Sequence, residues 1–501
     1  MSEKKPVNFA KGGDMLNLIS SIQSLINDAT HKDAKTAMLA KDEIAKMLKT
    51  NPEALEAFEK TYQAIPKEDS NIYAMNAKAA ACTHAHSIDI DENMVKRIVT
   101  ELLSETEVYK YDGENTTSFS YPVSVTKSVE KEELMKYDVC LRPQLTGTMM
   151  CKDCGNTPAS NEILWFLRES MEGKTKEKRL QAYHMFRAGL DILDLDPITY
   201  EIIGMNENSI GHWLPPIVEA VKKQNYFKVP KTTIIKVPLP LLQMTRLEYE
   251  TLTPMTIKIA NEYCHKVFDL NDSKEYFIRT GTHSSKYDFR NAHVKGAKEV
   301  QEIGEYLLFI HFQGLSYAHM TNTHPTYGMA TTNEWVVREY IQDKENNPTI
   351  YHGLPLRTEM RAFVDFDGKK VIGIAPYWDP DTMKKRFATL EDRNEPDMIH
   401  DYTIYRMHED ILMSRFTKYK NTVEKHLQKL LEENVQLHGQ WSVDIMLNGK
   451  TGHEDSEVYI IDMALAQDSA LKQYMTEPLK KVEETWIPKI ADANVFGMEE
   501  A

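Results

Sequence analysis

Trp441-Ser442-Val443-Asp444-Ile445-Met446-Leu447 and Val458-Tyr459-Ile460-Ile461-Asp462-Met463-Ala464 are two apolar runs joined by a polar segment holding Gly449, Gly452 and Asp455. Short apolar runs bounded by turn residues predict strands, and these two predict a hairpin. Each strand carries one carboxylate, Asp444 and Asp462, among bulky apolar neighbours. A carboxylate in such surroundings needs a cation or several donors, because an unpaired buried charge is costly. Two readings stand. The pair shares a magnesium ion, which takes one or two carboxylates together with phosphate oxygens; or each carboxylate caps a strand end or pairs with an arginine.

Working outward, Thr358 to Ile374 predicts a second hairpin, with Asp367-Gly368 at its turn. Strand alternation sets Glu359, Arg361 and Phe363 on one face and Met360, Ala362 and Val364 on the other. Arg361 thus projects from a regular strand, as a rigidly held phosphate ligand should, or bridges across the sheet, to Asp444 or to the neighbours of Glu359. Tyr276 to Thr280 predicts a strand leading into a hydroxyl-rich loop, in which Arg279 and Lys286 bracket Gly281, Thr282, Ser284 and Ser285. Small residues let backbone N–H groups approach an anion while the two cations neutralise it. Glu334 to Ile341 predicts either a core strand or the strand and hinge that receive an adenine ring.

The rest of the chain frames these segments. Helical periodicity marks Leu16–Ile26, Ala37–Leu48, Pro52–Ile65, Asn161–Met171 and Lys178–Leu193. The texture changes near residue 230, at the β-branched run Thr232-Thr233-Ile234-Ile235-Lys236. Beyond it, strands at Glu275–Arg279, Glu334–Ile341, Arg361–Asp365, Lys370–Ala375, Trp441–Leu447 and Val458–Asp462 alternate with helices at Val294–His311 and Ile404–Asn434. The predicted plan is α+β: a mainly helical region over 1–230, a second domain over 231–490 and a tail over 491–501.

The order of these segments resembles a branch of the ATP-grasp superfamily, the one typified by the eukaryotic cell-division-cycle protein that chaperones assembly of translation initiation factor 2. That family shows a strand with a basic residue and a serine-rich loop ending in a basic residue and aspartate, matched here by Arg279 to Asp288. A hinge strand similar to Trp335–Tyr340 follows, then a Glu-x-Arg-x-Phe-Val hairpin matched by Glu359 to Ile374. Last come an Asp-Ile strand and an Ile-Asp strand, matched by Asp444-Ile445 and Ile461-Asp462. The resemblance implies two α+β lobes clasping ATP. By it, Arg279 (a lysine in the family), Ser284, Ser285, Lys286 and Arg361 contact the nucleotide, with Lys286 and Arg361 acting on the transferring phosphate. Arg338, Glu339 and Tyr340 line the adenine pocket, and Asp444 and Asp462 hold Mg2+. One position departs: the family usually has asparagine two residues after the second aspartate, where this chain has Ala464. Gln467 and Asp468 are the nearby residues able to replace it.

The implied activity is that of an ATP-dependent carboxylate ligase, acting through an acylphosphate on a peptide, protein or other macromolecule. The alternative is a binding module in which ATP and Mg2+ stabilise a protein-docking surface without turnover. A third class follows from Lys110-Tyr111-Asp112-Gly113, which fits the motif of nucleic-acid ligases that adenylate a lysine, and equally fits a plain turn. Cys151 and Cys154 have zinc-knuckle spacing, with Cys140, Cys82, His84 and His86 as the nearest further ligands.

Composition narrows the classes. The chain has 501 residues, 42% hydrophobic and 27% charged, which is ample for folded domains. A net charge of −15 argues against a general affinity for nucleic-acid backbone, so nucleic acid is the less favoured partner beside ATP and a protein or peptide. The opening residues lead into no apolar segment, and no apolar run approaches the roughly 18 residues of a membrane helix. Five cysteines are too few for a disulfide scaffold. A cytoplasmic protein without membrane contact is expected.

Overall fold

The computed structural model describes residues 34–51, 92–117, 206–246, 254–321, 332–389, 396–433, 435–450 and 456–480, with a few isolated positions besides. Strands and helices are numbered below in chain order. The fold is mixed α+β with several antiparallel ladders. The chain forms two compact units: residues 1–69, 343–360 and 376–421 make the smaller one, and the remainder the larger. Residue 230 lies inside the larger unit. No helix among the described residues is long and apolar enough to cross a membrane.

In the larger unit, a six-stranded sheet runs β2 (Thr116–Thr117), β1 (Val108–Tyr111), β4 (Thr232–Lys236), β7 (Glu334–Glu339), β5 (Tyr276–Thr280), β6 (His293–Val294). Its ladders are antiparallel. β4 and β7 are central because their β-branched and aromatic residues fit a pleated surface covered on both faces. Alternation sends Ile235, Ile278, Trp335 and Val337 to one face, where they join a core with three helices. These are α2 (Glu92–Ser104), α5 (Pro254–Val267) and α7 (Ile303–Thr321). The opposite face presents Thr232, Ile234, Phe277, Arg279, Val336 and Arg338, matched through Thr232↔Arg338, Phe277↔Arg338 and Arg279↔Val336. α3 (Ile210–Val221) belongs to this side. Glu334 of β7 caps its N-terminus, taking the Ser209 hydroxyl at 2.6 Å and the Gly211 N–H at 2.9 Å.

The second sheet runs β11 (Lys370–Pro376), β10 (Thr358–Asp365), β12 (Gln440–Asn448), β13 (Glu457–Leu465), β3 (Phe227–Lys228). The expected strands are all present, extended by one to three residues at most ends. The hairpin of β10 and β11 turns at Asp367-Gly368, with Lys369 in the left-handed backbone region at φ +49°. The β12–β13 ladder slips by one residue at Asp444/Ile445, leaving Ile461 as a bulge.

Within the span over 1–230 expected to be mainly helical, the described residues include β1 and β2 at 108–117, where β1 pairs with β2 on one side and β4 on the other. Two expectations need correction. The helix expected over Val294–His311 begins as strand β6 and is then broken at Glu302 into α6 (Gly296–Gln301) and α7. The helix expected over Ile404–Asn434 starts earlier, as α9 (Pro396–Glu432). Most of Leu16–Ile26 and Pro52–Ile65, all of Asn161–Met171 and Lys178–Leu193, and Cys82, His84, His86, Cys140, Cys151 and Cys154 lie outside the described residues.

The smaller unit holds α1 (Ala34–Thr50), α8 (Pro380–Thr389), the first part of α9 and the short ladder β8 (Thr349–Ile350)–β9 (Leu354–Pro355). Ile44, Leu48, Phe387, Tyr402 and Tyr405 form its core.

Candidate functional site

Asp444 of β12 and Asp462 of β13 are direct cross-strand partners, so their side chains leave the same face as neighbours. Like charges in that relation repel, and each is neutralised by an arginine from another strand. Arg361 of β10 makes a fork with Asp444, Nε to Oδ1 and Nη2 to Oδ2 both at 2.8 Å. Arg279 of β5 sets Nη1 2.8 Å from Asp462 Oδ1. That oxygen also accepts the Met463 N–H at 3.0 Å. Asp444 is buried and Arg361 largely so, whereas the Asp462 side chain is 36% exposed. Burial pushes the Asp462 carboxyl up, but Arg279, Arg338 and Lys286 together outweigh it and hold it below the usual range.

Arg338 of β7 is 3% exposed. Its Nη1 donates to the carbonyl of Ile461, the bulge residue, which the register slip leaves without a partner across the ladder. Its guanidinium carbon lies 5.9 Å from the Trp213 ring centre. Nε and Nη2 are shielded from water and find no hydrogen-bond partner among the described residues. Burial, then the repulsion of Arg279, drives its pKa down to about 9, with Asp462 opposing. Arginine almost never releases its proton, so this is a guanidinium held in poor surroundings.

The loop after β5 completes the cluster. Ser285 has φ +46°, is buried, and its Oγ has no partner among the described residues. A non-glycine residue in the left-handed region stores strain of the kind found at functional sites. Lys286 acts on both Asp462 and His283. Ser284 is half-buried in the same loop. Gly281 is required by close packing: a Cβ there would meet Ser209 Oγ at 2.1 Å and Thr332 Oγ1 at 2.3 Å.

The structure therefore brings Arg279, Lys286, Arg338 and Asp462 together, with Arg361 and Asp444 adjacent. Glu339 and Tyr340 are engaged elsewhere. Glu339 accepts the Lys231 N–H at 3.1 Å and donates its own to the Lys231 carbonyl at 3.0 Å. The Tyr340 ring stacks on His293, centres 3.7 Å apart, and its N–H goes to the Glu275 carbonyl. At the position of the missing asparagine, the Ala464 carbonyl accepts the Ser442 hydroxyl. Asp468 accepts Asn208 Nδ2 at 2.7 Å, while Asn208 Oδ1 takes the Leu465 N–H at 2.7 Å.

Sequence reasoning missed Asn208, Trp213 and His283. The first two come from a stretch with no chemical motif, and only the fold carries them to β13 and Arg338. His283 was visible within the Gly281–Lys286 loop; it is buried, and burial first, then Arg279 and Lys286, lower its pKa to about 4, with Gln313 opposing. It is neutral at ordinary pH.

Lys110 lies exposed on β1, 3.7 Å from Asp269 Oδ2. The residues after it form a tight turn, in which Asp112 Oδ1 accepts the N–H groups of Glu114 and Asn115.

Among the described residues no group of three or more histidine, cysteine or acidic side chains converges on a metal position. Two adjacent carboxylates suit magnesium only when phosphate and water complete its six oxygens. The donor chemistry thus fits a metal that arrives with a phosphate ligand. Comparison with known protein families, with curated proteins and with solved structures found no match to this chain.

Proposed function

We propose that the larger unit binds ATP with Mg2+ in the ATP-grasp manner and is an ATP-dependent carboxylate ligase. The observation that carries the reading is Arg338: a buried guanidinium with two unsatisfied donors, beside a second buried arginine. Two buried guanidinium groups, Arg279 and Arg338, share the one carboxylate Asp462, in a chain of net charge −15. Burying such an excess is unfavourable unless an anion joins it, and a triphosphate supplies charge and acceptors in the spacing that guanidinium forks recognise.

In this reading, Arg361 and Lys286 bear on the terminal phosphate and stabilise charge as it transfers. Arg279 and Arg338 hold the inner phosphates. Asp444 and Asp462 hold the magnesium, which, when bound, acts as a Lewis acid toward phosphate oxygens. Ser284 and Ser285 supply hydroxyl and backbone donors. Because Nε and Nη2 of Arg338 are enclosed, the chain around them has to part as ligand enters. Glu339 and Tyr340 stay tied into the sheet edge, so any adenine contact they make comes from their side-chain faces.

Calorimetric titration with ATP and Mg2+ tests the reading, in parallel with an assay for ADP and AMP. Saturable binding that weakens in Asp462→Asn is expected, with slow ADP release. Binding without turnover would favour the protein-binding module, a reading that Ala464 supports. Absence of binding by the wild type would end the proposal.

A further inference from the structure

The candidate metal ligands are occupied by the candidate phosphate ligands. Both oxygens of Asp444 lie in the Arg361 fork, and Asp462 Oδ1 is taken by Arg279 and the Met463 N–H. Arg338 adds a further positive charge beside Asp462. A divalent cation approaching the pair meets three guanidinium groups at close range, and repulsion in a poorly solvated setting is strong. The guanidinium fork has one property that matters here: it matches carboxylate and phosphate equally well, with two parallel N–H donors in either case.

We propose that Arg361 and Arg279 keep the metal site closed until nucleotide arrives, and that they exchange carboxylate for phosphate as it binds. This rests on the ATP reading above and adds a rule of regulation to it. In the unliganded protein, Arg361 and Arg279 neutralise Asp444 and Asp462. A triphosphate draws the two guanidinium groups onto its own oxygens, and the carboxylates are released to a cation in the same event. Metal and nucleotide then bind with mutual enhancement, because each removes the ion pair that opposes the other. The exchange also keeps Asp444 and Asp462 neutralised in both states, so that no buried charge is exposed alone.

Equilibrium dialysis with Mn2+ in place of Mg2+ tests the idea, with a methylene-bridged ATP analogue that cannot be cleaved. For the wild type, Mn2+ retention in the presence of the analogue should exceed that with Mn2+ alone by about 5–150-fold in affinity. Arg361→Gln, which keeps polar volume but removes the cation, should bind Mn2+ alone more tightly than wild type and the analogue more weakly. Arg361→Lys retains charge without the fork and serves if the glutamine variant does not fold; it should fall between the two. Equal Mn2+ affinity with and without analogue, or an Arg361 variant that gains no metal affinity, would overturn the exchange while leaving nucleotide binding intact. A wild type that takes up the analogue neither with nor without Mn2+ would instead overturn the ATP reading beneath it.

Discussion

Replacing Arg338 with methionine should leave the unliganded protein as stable or more stable while weakening nucleotide binding. Burial, then Arg279, lowers the guanidinium from its ordinary range to about 9, against the pull of Asp462. At about 1.4 kcal/mol per tenfold, that disfavours the charged form by roughly 5 kcal/mol at neutral pH. The guanidinium keeps its proton, so at neutral pH the whole penalty is present. Methionine removes it. The substitution also loses the bond to the Ile461 carbonyl, about 1.5–3 kcal/mol, and the contact with Trp213, about 0.5–2 kcal/mol. The balance runs from neutral to about 3 kcal/mol in favour of the variant, within the range seen when buried ionic groups give way to apolar ones of similar volume. At about 2–4 °C per kcal/mol, the thermal midpoint should be unchanged or up to about 10 °C higher. Loss of a charged hydrogen bond to phosphate should weaken ATP by about 10–150-fold. Thermal unfolding followed by circular dichroism, with and without ATP and Mg2+, reads both effects. A variant that melts well below wild type yet keeps its ATP-induced stabilisation would show Arg338 to be a structural residue and refute the reasoning.

Two further predictions concern the scaffold. Gly304 of α7 packs on α5 so closely that a Cβ would lie 2.2 Å from the Ala260 carbonyl oxygen, so Gly304→Ala should destabilise the larger unit by about 1–3 kcal/mol or more in a denaturant titration. In the smaller unit, His400 sits between Glu59 at 2.9 Å and Asp401 at 3.1 Å. Burial works against its charge, but the two carboxylates outweigh it and raise its pKa to about 9. A raised histidine contributes stability that is complete below its ordinary value near 6.5 and is lost as pH rises through about 9, here on the order of 3 kcal/mol. The melting temperature of the wild type should therefore fall between pH 6.5 and 10 more than that of His400→Gln; equal slopes would contradict the assignment.

Much of the larger unit was legible because its signals are local. β-branched residues between Pro230 and Pro238 specify β4, and alternation specifies β10 to β13 within one to three residues. That Asp444 and Asp462 share one face was not legible: with Ile445 opposite Ile460, regular alternation would set Ile461 opposite Asp444, and only the bulge at Ile461 brings Asp462 there. The possibility that Arg361 bridges to Asp444 was readable, since a buried carboxylate on one strand demands a cation on a neighbour. β1 and β3 were not legible, being two to four residues long and carried into their sheets by partners more than 100 residues away, β4 for β1 and β13 for β3.

On the regular stretches of strand the sequence by itself determined which residue types share a face, because side-chain alternation needs no knowledge of distant contacts; the bulge at Ile461, which sets Asp462 opposite Asp444, lay outside that pattern. Tertiary structure alone decided which arginine meets which carboxylate. Arg361 reaches Asp444 across 83 residues, and Arg338 reaches the Ile461 carbonyl across 123. It also decided that Arg338 is enclosed with unsatisfied donors, since burial and desolvation are properties of everything packed around a side chain, while periodicity reports only on the strand that carries it.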